Sequence, residues 1–193
     1  MSSFVPPNYN ELVARLVDRT ELNDLGPGIR DRSRHDELAA LTVEQLVAPR
    51  PVRDPQMAEA CLAGLWLLHD FLDESHEISQ SLATIEGSYW HGIMHRREPD
   101  YENAKYWFRR VPAHPIHDEL TIAARDVAAA ADGDDQAQFL RTQKQWDVFK
   151  FIDLCRAAAG GRSTSKEICQ RVQSLEWQML FAYCWRGAGG ERP

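Results

Sequence analysis

The run Cys61–Leu68, reading CLAGLWLL, is the longest apolar stretch of the chain, and it offers no polar face to water. Asp54 followed by Pro55 is a helix start: an acid at the N-cap, then the one residue that has no N–H to lose in the first turn. The pattern predicts a helix over about 55–74. A helix that is apolar on nearly every side belongs in the middle of a bundle. The run is far shorter than the roughly 20 residues that cross a bilayer, so protein rather than lipid should cover it.

The segments on either side read as further helices. Asn10 caps a short helix ELVARLVDR, and Asn23–Ser33, with Gly26-Pro27-Gly28, is a loop. Ser33 or Asp36 opens a helix to Ala40, and Thr42 with Gln45 forms a capping box for VEQLVA. A helix over about Ile85–Glu98 is stopped by Pro99, and Asp100 caps the next, YENAKYWFRRV, which Pro112 and Pro115 close. Downstream come an Ala-rich helix ending at Asp132-Gly133 and a long amphipathic helix from about Asp135 to Ala159. A last helix, opened by a Thr164/Glu167 capping box, runs to Trp185. The Asp132–Asp135 run lacks the alternating ligands of a calcium loop and reads as a turn plus N-cap. No segment alternates with period two. The expectation is an all-α, single-domain bundle of about seven or eight helices over residues 1–186, followed by a flexible tail, 187–193.

At 193 residues such a chain can bury a core without disulfides. Its four cysteines are far apart with no CxxC pair, which argues against a disulfide framework or zinc knuckle. With 22 basic and 29 acidic residues the net charge is −7, so nucleic acid and anionic membranes are not expected as partners. The basic residues Arg96, Arg97, Arg109 and Arg110 are too few to reverse this. No basic stretch followed by an apolar run marks a signal peptide, and the expected compartment is the cytoplasm. A small-molecule ligand, a second copy of the chain and a protein partner all remain open.

Chemistry concentrates in one place. Four of the seven histidines, His69, His76, His91 and His95, fall within 27 residues. At about 100° per residue, Leu65, His69, Asp73 and His76 share one stripe of the first helix, while Gly87, His91, His95 and Glu98 share one of the second. If the two helices pack antiparallel, Asp73 and His76 approach His91 and His95. Imidazoles and carboxylates converging from facing helices hold zinc, iron or manganese in bundle proteins. The candidate ligands are His69, Asp73, His76, His91, His95 and Glu98. The pattern is neither HExxH, since Gly92 stands where the Glu would be, nor the Glu-x-x-His of di-iron bundles. A buried His–Asp hydrogen-bond network without metal is the competing reading. Tyr89, Trp90, Asn103, Tyr106 and Arg109 flank the histidines and could line a ligand pocket. His35, His114 and His117 read as surface residues. No nucleophile elbow, P-loop or dinucleotide fingerprint occurs.

The hairpin Ser88–Pro115 resembles a tetratricopeptide or Sel1-type repeat: Gly92 falls at the small position of the first helix, with Ala104 and Phe108 at the small and aromatic positions of the second. There is no second copy at the expected spacing. The resemblance implies a local helix-turn-helix and, as an alternative function, a non-enzymatic interaction module. SYWHGIMHRRE…NAKYWFRRV also resembles a segment shared by a group of all-helical proteins to which no activity is attached.

Overall fold

The computed structural model describes residues 4–131 and 135–191. Among them are eleven α-helices, one short 3-10 turn and no strand. In chain order these are α1 (Glu11–Val17), α2 (His35–Ala39), α3 (Val43–Val47), α4 (Pro55–Leu68), α5 (Leu72–Ser81), α6 (Ile85–Arg97), α7 (Tyr101–Phe108), α8 (His117–Ala130), α9 (Gln138–Thr142), α10 (Val148–Ala159) and α11 (Lys166–Ala188). No helix of the described residues is long and apolar enough to cross a membrane.

The apolar run does what its composition requires. α4 starts at the expected signal, with the Asp54 side chain accepting from the Met57 N–H and Pro55 at the first position. Ala60, Cys61, Ala63, Leu65 and Leu67 are sealed from water, and α4 packs against α3, α5, α6 and α11. It meets α6 at Gly64, where an added Cβ would lie 2.8 Å from the Trp90 ring. Trp177 of α11 donates its Nε1–H to the Gly64 carbonyl at 2.8 Å.

The expected helix 55–74 is broken, and the break matters for the site. α4 stops at Leu68, Asp70 takes a left-handed backbone (φ 65°), and α5 starts at Leu72. Asp is one of the few residues that tolerates that conformation. What holds it there comes from far along the chain: the buried Asp70 carboxylate accepts from Arg97 at 2.5 Å, Arg19 at 3.0 Å and Asn23 at 2.9 Å.

α5 and α6 then form a tight hairpin. Thr84 caps α6 by accepting from the Gly87 N–H, and a Cβ at Gly87 would sit 2.6 Å from the Leu82 carbonyl oxygen. Every residue of α6 from Glu86 to Arg97 is buried, although half of that stretch is polar. Each charge has a partner on another element: Arg96 with Glu176 at 2.5 Å, Arg97 with Asp70, Glu86 facing His114 at 3.7 Å. The basic residues Arg96, Arg97, Arg109 and Arg110 are thus split, with Arg96 and Arg97 inside the protein.

Further along, the single amphipathic helix expected over 135–159 is three pieces: the 3-10 turn Asp135–Ala137, α9 and α10. Arg125 donates to the Gln143 carbonyl at the end of α9, Trp146 is buried against Phe151, and Asp147 caps α10. α11 begins at Lys166 after Ser165 and continues through Ala188, past the expected end. The stretch 187–191, read as part of a flexible tail, is fastened: the Arg53 N–H donates to the Ala188 carbonyl at 2.8 Å, and Arg50 pairs with Glu191. Residues 192–193, and most of the Asp132–Asp135 turn, lie outside the described residues.

Candidate metal centre

Three of the four clustered histidines meet. His76 of α5 and His91 and His95 of α6 each offer a ligand atom, and these atoms lie within 4.8 Å of one another. Ring centroids are 4.5 Å apart for His76–His91, 4.6 Å for His91–His95 and 5.4 Å for His76–His95. The i, i+4 spacing puts His91 and His95 on one face of α6, and the tight α5–α6 turn brings His76 opposite them. His91 and His95 are buried and His76 is half-buried. Such a cluster could hold a metal ion.

Outer partners orient the rings. Ser79, one turn after His76, places its Oγ 3.0 Å from His91 Nδ1 and 3.3 Å from the His76 carbonyl. When the hydroxyl donates to that carbonyl, it accepts from His91 Nδ1–H. Glu98 accepts from His95 Nδ1–H at 2.9 Å. In His95 the proton therefore sits on Nδ1 and the lone pair on Nε2, and the Ser79 hydroxyl can hold His91 in the same form. The Nε2 of His95 receives a hydrogen bond from the Asn103 amide at 3.0 Å. On its other side His91 packs against the Trp107 ring at 4.0 Å, and Arg110 lies over that indole at 4.5 Å.

The electrostatics favour the neutral form of His91 and His95. Burial, then the neighbouring His95, His76 and Arg110, push His91 down to about 3 from its ordinary 6.5. Burial lowers His95 as well, against an upward pull from Glu98. A neutral imidazole is the form that ligates.

The structure takes other candidates away from this place. His69 caps the C-terminus of α4, donates its Nε2–H to the Leu16 carbonyl at 2.9 Å and has Asp31 3.5 Å from its Nδ1. Asp73 is exposed and pairs with Arg30. The shared stripe requires one unbroken helix through 69–76, and the left-handed turn at Asp70 destroys that phase. Glu98 touches the cluster only through His95.

Of the residues expected to line a ligand pocket, Tyr89 and Trp90 belong to the core. The Tyr89 hydroxyl donates to Glu176 at 3.1 Å, and Trp90 packs on Gly64 and Trp177. Asn103 joins the histidines, Tyr106 is exposed with its hydroxyl accepting from Arg110, and Arg109 is exposed. His114, expected at the surface, is buried between Tyr89 and Tyr183. His117, read the same way, is half-buried, and its burial beside His114 lowers it to about 4. His35 is exposed, as expected, with one ring edge on Trp66.

Sequence reading missed Ser79, whose signal was spacing: it follows His76 by three residues, one helical turn. Compared with known proteins, the chain matches no family model, no curated protein and no solved structure.

Proposed function

We propose that the protein is a metalloprotein whose His76, His91 and His95 hold one divalent ion, in a site suited to hydrolytic or redox chemistry. The observation that carries this reading is the convergence of three imidazoles whose ligand atoms lie within 4.8 Å of one another. An oxygen stands beside Nδ1 of both His91 and His95, Ser79 Oγ at 3.0 Å and the Glu98 carboxylate at 2.9 Å, and a proton held there leaves Nε2 as the electron-pair donor. Metal-ligating histidines are oriented in this way by outer hydrogen bonds. Three imidazoles suit zinc or iron better than manganese, which prefers oxygen ligands. Such an ion, when bound, would supply a Lewis acid that lowers the pKa of a coordinated water, or an open position for redox exchange.

The surrounding residues add what a site needs. His76, Asn103 and Trp107 are only half-buried, so the cluster opens toward solvent between α5 and α7. Trp107 gives that opening an apolar wall, and Arg110 brings a positive charge beside it. The alternative of a non-enzymatic interaction module gains nothing from histidines that meet in one place.

Elemental analysis of untagged protein prepared without chelator tests the proposal, beside a His91→Ala/His95→Ala double variant. One equivalent of zinc or iron in the wild type, lost in the variant, is the expected result. If the wild type holds no stoichiometric metal and added metal leaves its melting temperature unchanged, the three histidines are a hydrogen-bonded core cluster.

A further inference from the structure

Asn103 occupies the third position of α7, where its backbone N–H is fixed by the Asp100 side chain at 3.2 Å. Its side-chain amide lies 3.0 Å from His95 Nε2, and the network determines which end faces the ring. Glu98 can only accept, so His95 carries its proton on Nδ1. Nε2 is then a bare lone pair, and the Asn103 group beside it must be the NH2. The atom that would ligate a metal is therefore covered by this amide.

The Asn103 side-chain amide carries a donor and an acceptor at equal reach. A half-turn about its last torsion, a soft two-fold rotor, exchanges the NH2 for the carbonyl oxygen. In that orientation Oδ1 and His95 Nε2 are both electron-pair donors side by side. Two electron-pair donors side by side repel each other unless a cation or a proton donor lies between them. The helix that carries Asn103 already faces the site: one turn on, Trp107 stacks on His91 at 4.0 Å. Asn103 is itself half-buried at the mouth.

Building on the three-histidine reading, we propose that Asn103 is the fourth protein ligand, donating to His95 when no ion is bound and turning its carbonyl oxygen onto the metal when one is. Three imidazoles and an amide are all neutral, so the ion would keep its full positive charge. Four protein ligands fill the usual tetrahedral shell of zinc, so hydroxide or a small anion would bind by expansion to a fifth position.

The test uses the full chain, with zinc affinity measured by competition against a chromophoric chelator and coordination read from the visible absorption of the cobalt-loaded protein. Asn103→Ala should weaken zinc binding by about 10- to 100-fold and change the cobalt spectrum. Asn103→Asp, which keeps an oxygen in the same place and adds a charge, should bind at least as tightly as the wild type; it also serves if the Ala variant does not fold. If Asn103→Ala binds as tightly as the wild type or more tightly, the amide is only a competitor for His95, and the proposal is overturned. Loss of binding in Asn103→Asp, with the fold intact by circular dichroism, overturns it as well. Absence of binding in the wild type, or binding that survives His91→Ala/His95→Ala, brings down the three-histidine site itself and this proposal with it.

Discussion

His91 has an imidazole on two sides, an indole on a third and a hydroxyl on its Nδ1, and that crowding sets its proton affinity. Its folded value of about 3 lies below the ordinary 6.5, so between those pH values the unfolded chain takes up a proton that the folded chain refuses. The stability tied to this group is therefore present above pH 6.5 and lost progressively as pH falls toward 3. His117, lowered to about 4, and His95 act with the same sign. Urea midpoints should fall below pH 6.5, and the slope should be shallower in a His91→Asn variant; equal slopes would show that His91 is protonated in the fold. Ser79 provides a second residue-scale prediction. Ser79→Ala removes the oxygen that orients His91, and zinc affinity should drop about 10- to 100-fold while the circular dichroism spectrum stays unchanged.

Two close approaches between helices decide whether the cluster can assemble. α6 and α7 touch where a Cβ on Gly92 would lie 2.7 Å from the Phe108 ring. Gly92→Ala should cost about 1–3 kcal/mol by overpacking and should weaken metal binding, because α7 carries Asn103 and Trp107. Adding Phe108→Leu should restore part of both losses; a single variant as stable as the wild type would mean that α7 yields freely. The other approach is the turn between α4 and α5. Asp70 is buried under Arg97, and removing one partner of such a pair strands the other charge. Asp70→Ala should destabilise the protein by about 3–5 kcal/mol in a denaturant titration. A loss below 1 kcal/mol would mean that water reaches Arg97.

Across the whole molecule, the connector before α4 and the end of α11 hold each other. Arg53 and Asp54 donate backbone N–H groups to the Ala188 carbonyl, Ala188 is fully buried, and Arg50 lies over Trp185 at 3.9 Å while pairing with Glu191. Truncation after Arg186 should therefore lower stability by about 1–3 kcal/mol, because it removes the acceptor of two backbone N–H groups together with the buried Ala188. An unchanged denaturation midpoint would mark residues 187–193 as the dispensable tail that their composition suggests.

The chain by itself determined what composition and period can express. An apolar run with no wet face must be covered, and α4 is; a period of 3.6 with caps at Asn10, Thr42, Asp54 and Asp100 starts helices at those places. The i, i+4 pair His91/His95 was also legible, because both rings sit on one unbroken helix. Only the tertiary structure decided what depends on partners distant in sequence. Nothing between Leu68 and Leu72 announces a break; the left-handed Asp70 is held by Arg97 and Arg19, some 27 and 51 residues away. That one turn removes His69 and Asp73 from the histidine stripe. The burial of polar α6 was equally hidden, because hydropathy scores Arg96 and Arg97 as surface residues, and Glu176 and Asp70 are what make the interior tolerable for them. Periodicity is local, whereas a buried charge is located by whatever neutralises it.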